Sequence, residues 1–214
     1  MSSKLNIPIF PLNGAIFFPD TNLPLNIFEP RYLEMVRQCE EKSAPIGIIL
    51  LRKGTAEGLG PIDLYDVGTT AEIIDSHHRE DGTIGIRVIG RDRFIVRQII
   101  QWQPRALGEV DLLHWNTDDL DTESLMDLKR TFGEYWQRLL EATGQWTNHM
   151  LMPEEPEALV EFIASQLQID TVQKQRLLEE KSLGAVIKLQ LTTLQMHIPK
   201  LIRARTARDQ RSNN

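Results

Sequence analysis

Cysteine is almost absent. Cys39 is the one cysteine among 214 residues, so no internal disulfide can form, and the small disulfide-stapled secreted class is excluded. No run approaches the ~20 consecutive apolar residues that span a bilayer. The opening MSSKLNIPIF lacks the long apolar stretch of a secretory leader. Together these absences make the cytoplasm the expected location, with no membrane partner. Positive charge is not in excess either: 24 Lys and Arg stand against 30 Asp and Glu, for a net charge of −6 and a pI near 5.4. That balance weighs against non-specific nucleic-acid binding and says nothing about fold. A phosphate-cradling loop of the form G-x-x-x-x-G-K-[ST] is missing. Arg52-Lys53-Gly54-Thr55 lacks the first glycine and has its lysine before the second. That loop works because glycine N–H groups and one lysine surround the phosphates, so ATP is not an expected ligand. No repeat period of the solenoid kind occurs.

What is present suffices for a core, since 41% of residues are apolar. Ile7 to Leu12, with Pro8 and Pro11, reads as a Pro-punctuated strand, and two prolines predict an edge strand or a bulge. Leu23 to Phe28 reads as a second strand. Pro30 suits the first position of the helix that follows, whose buried face is predicted at Tyr32, Leu33, Val36 and Cys39. Pro45 to Leu51 contains the apolar run IGIILL and predicts a strand buried on both faces. Lys53 to Pro61 holds three glycines and reads as a loop. Alternation resumes from Val67, and Asp81-Gly82 is a hairpin signal. Strands follow at Ile84 to Val88, Arg93 to Ile100 and Arg105 to Leu113. Short strands with turns between them and a single helix predict a closed or half-closed antiparallel barrel.

The pattern changes near Trp115. Leu125, Leu128, Phe132, Tyr135, Trp136, Leu139 and Leu140 fall at helical spacing, with Asp121 or Thr122 as the cap and Gly144 as the stop. Further helices are predicted after Pro156, from Asp170-Thr171 and from Ser182, the last ended or kinked at Pro199. Three regions are therefore expected: 1–115 as a barrel with one helix, 116–202 as a helical bundle, and 203–214 as a basic, disordered tail.

Few residues carry chemistry. Cys39 paired with a histidine would make a nucleophile and base, but it lies on the apolar helical stripe, where cysteine acts as a small hydrophobe. His77, His78, Glu80 and Asp81 resemble a metal set in composition only, because adjacent strand side chains point to opposite faces. No metal or cofactor is expected. His149 precedes Pro153, and its surroundings leave its role open. Glu29 and Arg31 sit among Phe28, Pro30 and Tyr32, where Arg31 is expected to satisfy carbonyls or a carboxylate at the barrel–helix junction in preference to forming the polar rim of a peptide groove. Arg87, Arg91, Arg93 and Arg97 form a basic segment, but only Phe94 interleaves them, where single-strand binders supply stacking aromatics. The loop Asn13 to Asn22 carries Ile16, Phe17, Phe18 and Pro19, a candidate apolar patch.

The order of residues in Ile7 to Val36 is distinctive: F-P-L, then F-P, then L-P-L-x-I-F-E-P-R-Y-L-x-M-V. It closely resembles the substrate-binding domain at the N-terminus of Lon-type ATP-dependent proteases, in the form that stands alone in many bacteria. The resemblance implies an α+β protein, a PUA-like antiparallel β-barrel followed by a C-terminal helical bundle. It also implies non-catalytic recognition of polypeptide segments or a protein client, without the ATPase and protease modules. Contacts are expected at Phe17, Phe18, Phe28 and Tyr32. Two other readings stand beside it: an RNA-binding PUA-like module using the arginine strands, and a small hydrolase using Cys39.

Overall fold

The computed structural model describes residues 4–53, 63–144 and 150–212. Most of the glycine-bearing loop, His149 and the final two asparagines lie outside the described residues. The elements are β1 (Leu5–Leu12), β2 (Asn22–Ile27), α1 (Pro30–Lys42), β3 (Ile46–Lys53), β4 (Asp63–His78), β5 (Ile84–Gln101), β6 (Leu107–Leu112), α2 (Thr122–Thr143), α3 (Pro156–Gln166), α4 (Thr171–Glu179) and α5 (Leu183–Ser212). They form two compact units. The first comprises Met1–His114 and Ala164–Glu179, the second Trp115–Ile163 and Glu180–Asn214.

The first unit is built on one six-stranded sheet of order β2-β5-β4-β3-β1-β6, closed by a further pairing of β5 with β6. Five strands thus make a ring, and β2 lies outside it. The pairing is not wholly antiparallel as expected: β1 runs parallel to β3, from Ile9 against Gly47 to Leu12 against Leu50. The chain leaves β1, passes through β2 and α1, and re-enters the sheet beside it, and such a crossover connection returns a strand in the same direction. Nor is β1 an edge. Its first half pairs with β6 and its second with β3, and Pro8 stands at the changeover, where a missing N–H costs little.

Strand β5 is the longest, and the two strands predicted within it are one. Residues 84–89 pair with β2, while Phe94 to Gln101 pair with β6. Between these stretches Gly90 accepts the loop after β1 at close range. Asp20 donates to its carbonyl at 3.1 Å, and its own N–H donates to Thr21 at 3.0 Å. A Cβ on Gly90 would stand 2.3 Å from the Phe18 carbonyl oxygen, so only glycine allows this approach.

Two apolar clusters fill the unit. One packs Tyr32, Met35, Val36 and Cys39 of α1 against Ile27, Ile46, Ile48, Ala71, Ile84, Ile86 and Val88. The other lies within the ring around Ile7, Ile9, Ile49, Phe94 and Val110. All of Ile46 to Leu51 is buried, as the unbroken apolar run predicts. Helix α4 belongs to this unit, although its sequence reads like a bundle helix. Buried Arg93 donates to the Leu178 carbonyl at 3.0 Å, and buried Gln175 donates to the Val67 carbonyl at 3.1 Å.

The second unit is helical. Asp121 caps α2 by accepting from Glu123 and Ser124, and Gly144 closes it at φ 71°, both as the sequence predicts. Leu128, Phe132 and Tyr135 are buried, and Phe162 meets the Phe132 ring edge-on with centroids 6.1 Å apart. Pro199 does not end helix α5 but lies inside it, and the helix runs on to Ser212 through residues expected to be a disordered tail. Arg205 of that tail donates to Glu141 at 2.6 Å. Helical propensity and a carboxylate on α2 outweigh the missing apolar stripe.

Candidate functional site

The four expected contact aromatics divide three to one. Phe17, Phe18 and Tyr32 are buried, and Phe28 is 66% exposed. The loop that carries Phe17 and Phe18 is laid onto the sheet by its backbone. Thr69 donates its hydroxyl to the Phe17 carbonyl at 2.7 Å, and Thr21 donates to the Phe18 carbonyl at 2.6 Å. Both rings therefore point into the unit and cannot touch a partner as placed. Tyr32 packs against Phe10, with centroids 4.8 Å apart, and burial raises the pKa of its phenol. Phe28 stands out because it falls between the last residue of β2 and the start of α1, where alternation turns it away from the core that receives Ile27. Beside it, Arg31 donates to Glu29 through Nε at 3.0 Å and through a second guanidinium nitrogen at 2.6 Å, and lies 4.6 Å from the Tyr32 ring centre. The two charges satisfy each other.

The basic segment of β5 is equally engaged. Arg87 pairs with Asp75 at 3.1 Å, Arg91 with Glu72 at 2.7 Å and Arg97 with Asp111 at 2.7 Å, while Arg93 is buried against α4. Carboxylates on the flanking strands pair with the arginines that a nucleic acid would need.

Cys39 is buried, and desolvation raises the pKa of its thiol against the smaller opposing pull of Arg105. A thiol held in its protonated form is a poor nucleophile. Among the described residues, no three His, Cys, Asp or Glu side chains gather as a metal site needs, and no helix is long and apolar enough to cross a membrane.

Cys39 does, however, floor a cleft of about 460 Å³ between the last turn of α1 and the far half of β4. Glu40, Ser43 and Ala44 form one wall, and Glu72 to Ser76 with His78 form the other. Strand β3 covers β4 only as far as Ala71, opposite Ile46. From Glu72 to His78, among the described residues, β4 has β5 on one side and no strand on the other. Within that stretch Ile73 faces Val88 and Asp75 faces Arg87, so Ile74 is the extra residue of a bulge, and it is 45% exposed. Glu40 turns one carboxylate oxygen to His78 Nε2 at 3.4 Å. Its other oxygen, Oε1, is shielded from solvent and has no hydrogen-bond partner among the described residues. Sequence reasoning passed over this cleft. The available signal was the loss of alternation after Ile73, where Asp75-Ser76-His77-His78 extends a strand beyond any apolar face.

A family model, that of the ATP-dependent protease La (LON) substrate-binding domain, matches residues 6–195. The chain belongs to that family. Among its relatives, the Lon protease of Anaeromyxobacter dehalogenans is 27% identical over 191 residues, covering 88% of this chain and 23% of that protein. The Lon protease of Porphyromonas gingivalis is 36% identical over 107 residues, covering 50% of this chain and 13% of that protein. The chain thus spans less than a quarter of the length of these curated relatives. The crystal structure of a Lon N-terminal domain protein from Xanthomonas campestris superposes with a TM-score of 0.64 at 23% identity, covering 88% of this chain and 98% of that one. The N-terminal domain of a Mycobacterium avium complex Lon protease gives 0.61 at 16% identity, covering 90% and 100%. These two establish that the Lon N-terminal fold is shared. The match covers the substrate-binding part of Lon, and no phosphate loop of an ATPase occurs in the 214 residues.

Proposed function

We propose that this Lon substrate-binding domain recognises polypeptide segments and catalyses no reaction on them. The observation that carries the reading is the family match over residues 6–195. The buried Cys39 thiol, its pKa raised by desolvation, and the ion-paired arginines of β5 count against the hydrolase and RNA readings. Phe28 is the candidate contact among the four aromatics, because Phe17, Phe18 and Tyr32 are buried. An exposed aromatic is the kind of group that anchors a partner. The test is fluorescence anisotropy with a labelled, reduced and carboxymethylated protein against its native folded form, with ATP and a labelled single-stranded RNA in parallel. Saturable binding of the unfolded chain alone is expected. Preference for RNA, or indifference to whether the protein probe is folded, would remove the reading.

A further inference from the structure

The cleft beside β4 combines three features that meet the needs of one kind of ligand. The first is a strand edge, Glu72 to His78, unpaired among the described residues. At about 3.3 Å per residue it offers roughly 20 Å of backbone to a further strand. The second is apolar surface, supplied by exposed Ile74 at the bulge. The third is a carboxylate on the facing wall. Glu40 lines the cleft with its side chain 24% exposed, and one of its oxygens stands 3.4 Å from His78 Nε2. A carboxylate so placed can take a cation from a ligand that lies along the edge.

We propose that this cleft receives an extended polypeptide segment that adds as a strand to the Glu72–His78 edge and places a lysine or arginine on Glu40. The proposal rests on the reading of the domain as a polypeptide binder and names the site and the ligand's chemistry. Main-chain hydrogen bonds along the edge give affinity with little regard to sequence, while a side-chain pocket selects. Here the pocket selects positive charge, because the other cleft carboxylates are already engaged: Glu72 with Arg91 and Asp75 with Arg87. A bulge and flanking charges also guard an edge against indiscriminate pairing. That guard explains the bulge and the outward charges of β4, but Glu40 stands on α1, on the opposite wall of the cleft. Register places Phe28 near the same end of the sheet. Ile27 lies opposite Ile84, which lies opposite His78, so Phe28 sits about two strand spacings, roughly 10 Å, from the end of the edge.

The experiment uses the full chain and three fluorescein-labelled peptides of alternating valine and threonine. One has a central lysine, one has norleucine in its place, and one keeps the lysine but is N-methylated along one backbone edge. The lysine peptide is expected to bind and to slow amide hydrogen exchange within residues 72–78. Norleucine, or Glu40→Gln in the protein, should weaken binding about tenfold, and the two losses should not add, since they remove one contact. N-methylation should abolish binding. The norleucine arm leaves the protein untouched, so it decides the matter even if Glu40→Gln disturbs α1. Additive losses, or protection elsewhere, would overturn the proposal. So would edge protection that rises with protein concentration alone, which would make a second copy of the chain the occupant. If unfolded protein still binds while the lysine peptide does not, this site is wrong and the polypeptide reading survives. If neither binds, both fail.

Discussion

The two units hold together by different means. In the sheet unit the decisive contacts join residues far apart in sequence: Arg93 reaches α4, Thr69 holds the loop after β1, and the Phe94 ring occupies space left by two glycines. A Cβ on Gly47 would stand 3.0 Å from that ring, and one on Gly68 would stand 2.8 Å from it and 2.4 Å from the Ile48 carbonyl oxygen. In the helical unit the corresponding work is done by caps at helix starts. Asp119 accepts from the Ser182 hydroxyl and, at 3.1 Å, from the Gly184 N–H at the head of α5, and Asp121 performs the same service for α2. One unit depends on close fit, the other on placed charge.

The largest expected difference concerns cavities. Phe94 and Phe132 are both fully buried, and replacing either with alanine should cost about 3–5 kcal/mol. Phe94→Ala should fall at the upper end, because the sheet backbone around it cannot collapse into the space. Phe132→Ala should fall at the lower end, because its neighbours are helical side chains, Trp136 and Phe162 among them. Residue-resolved hydrogen exchange in denaturant reads each unit separately, and equal costs would break the comparison.

Buried polar contacts come next. Arg93→Met removes the donor to the Leu178 carbonyl in the sheet unit, and a hydrogen bond from a charged group contributes about 1.5–3 kcal/mol. Gln190→Leu removes a neutral donor to the Val160 carbonyl, 2.7 Å long, in the helical unit, where about 1 kcal/mol is expected. Chemical denaturation of the two variants ranks them, and a smaller loss for Arg93→Met would contradict the ordering.

The units should also fail at opposite ends of the pH scale. Asp119 and Asp121 are held below the usual carboxylate range, chiefly by the hydroxyls of Ser182 and Ser124 and then by backbone N–H groups. A depressed carboxylate contributes stability above its unfolded pKa and loses that contribution as pH falls through the folded value. Asp81, at the hairpin of the sheet unit, is lowered in the same way through Thr83, so acid should loosen that turn but not the core behind it. Burial raises the pKa of Cys39 and Tyr32 in the sheet unit. Their contribution is whole below the unfolded values and is lost as pH rises through the folded ones. Hydrogen exchange should therefore show the helical unit weakening first in acid and the sheet unit first in alkali. Asp119→Asn with Asp121→Asn should flatten the acid response, and an unchanged response would refute the assignment.

What was legible in the sequence follows the same division. Caps are local, so Asp121 and Gly144 could be read from neighbouring residues, as could the Asp81-Gly82 hairpin and the doubly buried run of β3. Pairings are not local. Nothing in Ile7 to Leu12 says that it runs parallel to Ile46 to Leu51, and nothing in Thr171 to Glu179 says that Gln175 belongs under a sheet. Phe17 and Phe18 looked like loop aromatics because the glycine that lets their loop settle, Gly90, lies about seventy residues away. Glu40 and Ile74 become neighbours of one cleft only once α1 has crossed to β4, so their spacing carried no signal.

The smallest effect on stability, and the sharpest on function, is expected at Phe28. Its ring is 66% exposed, so truncation leaves no buried cavity, and substitutions at such positions stay within about 0.5 kcal/mol. Phe17→Ala and Phe18→Ala each empty a buried site and should cost about 3–5 kcal/mol. The three variants therefore separate footing from contact. If Phe28 anchors a client, Phe28→Ala should keep its unfolding midpoint and lose several-fold in affinity for unfolded protein, and Phe28→Trp should restore it. The buried pair should instead lower the midpoint, and at temperatures where they remain folded they should bind as the parent does. Should Phe28→Ala bind normally while remaining folded, the exposed aromatic is not a contact, and recognition must lie elsewhere on the chain. Should it unfold, the ring is doing structural work that its exposure does not predict.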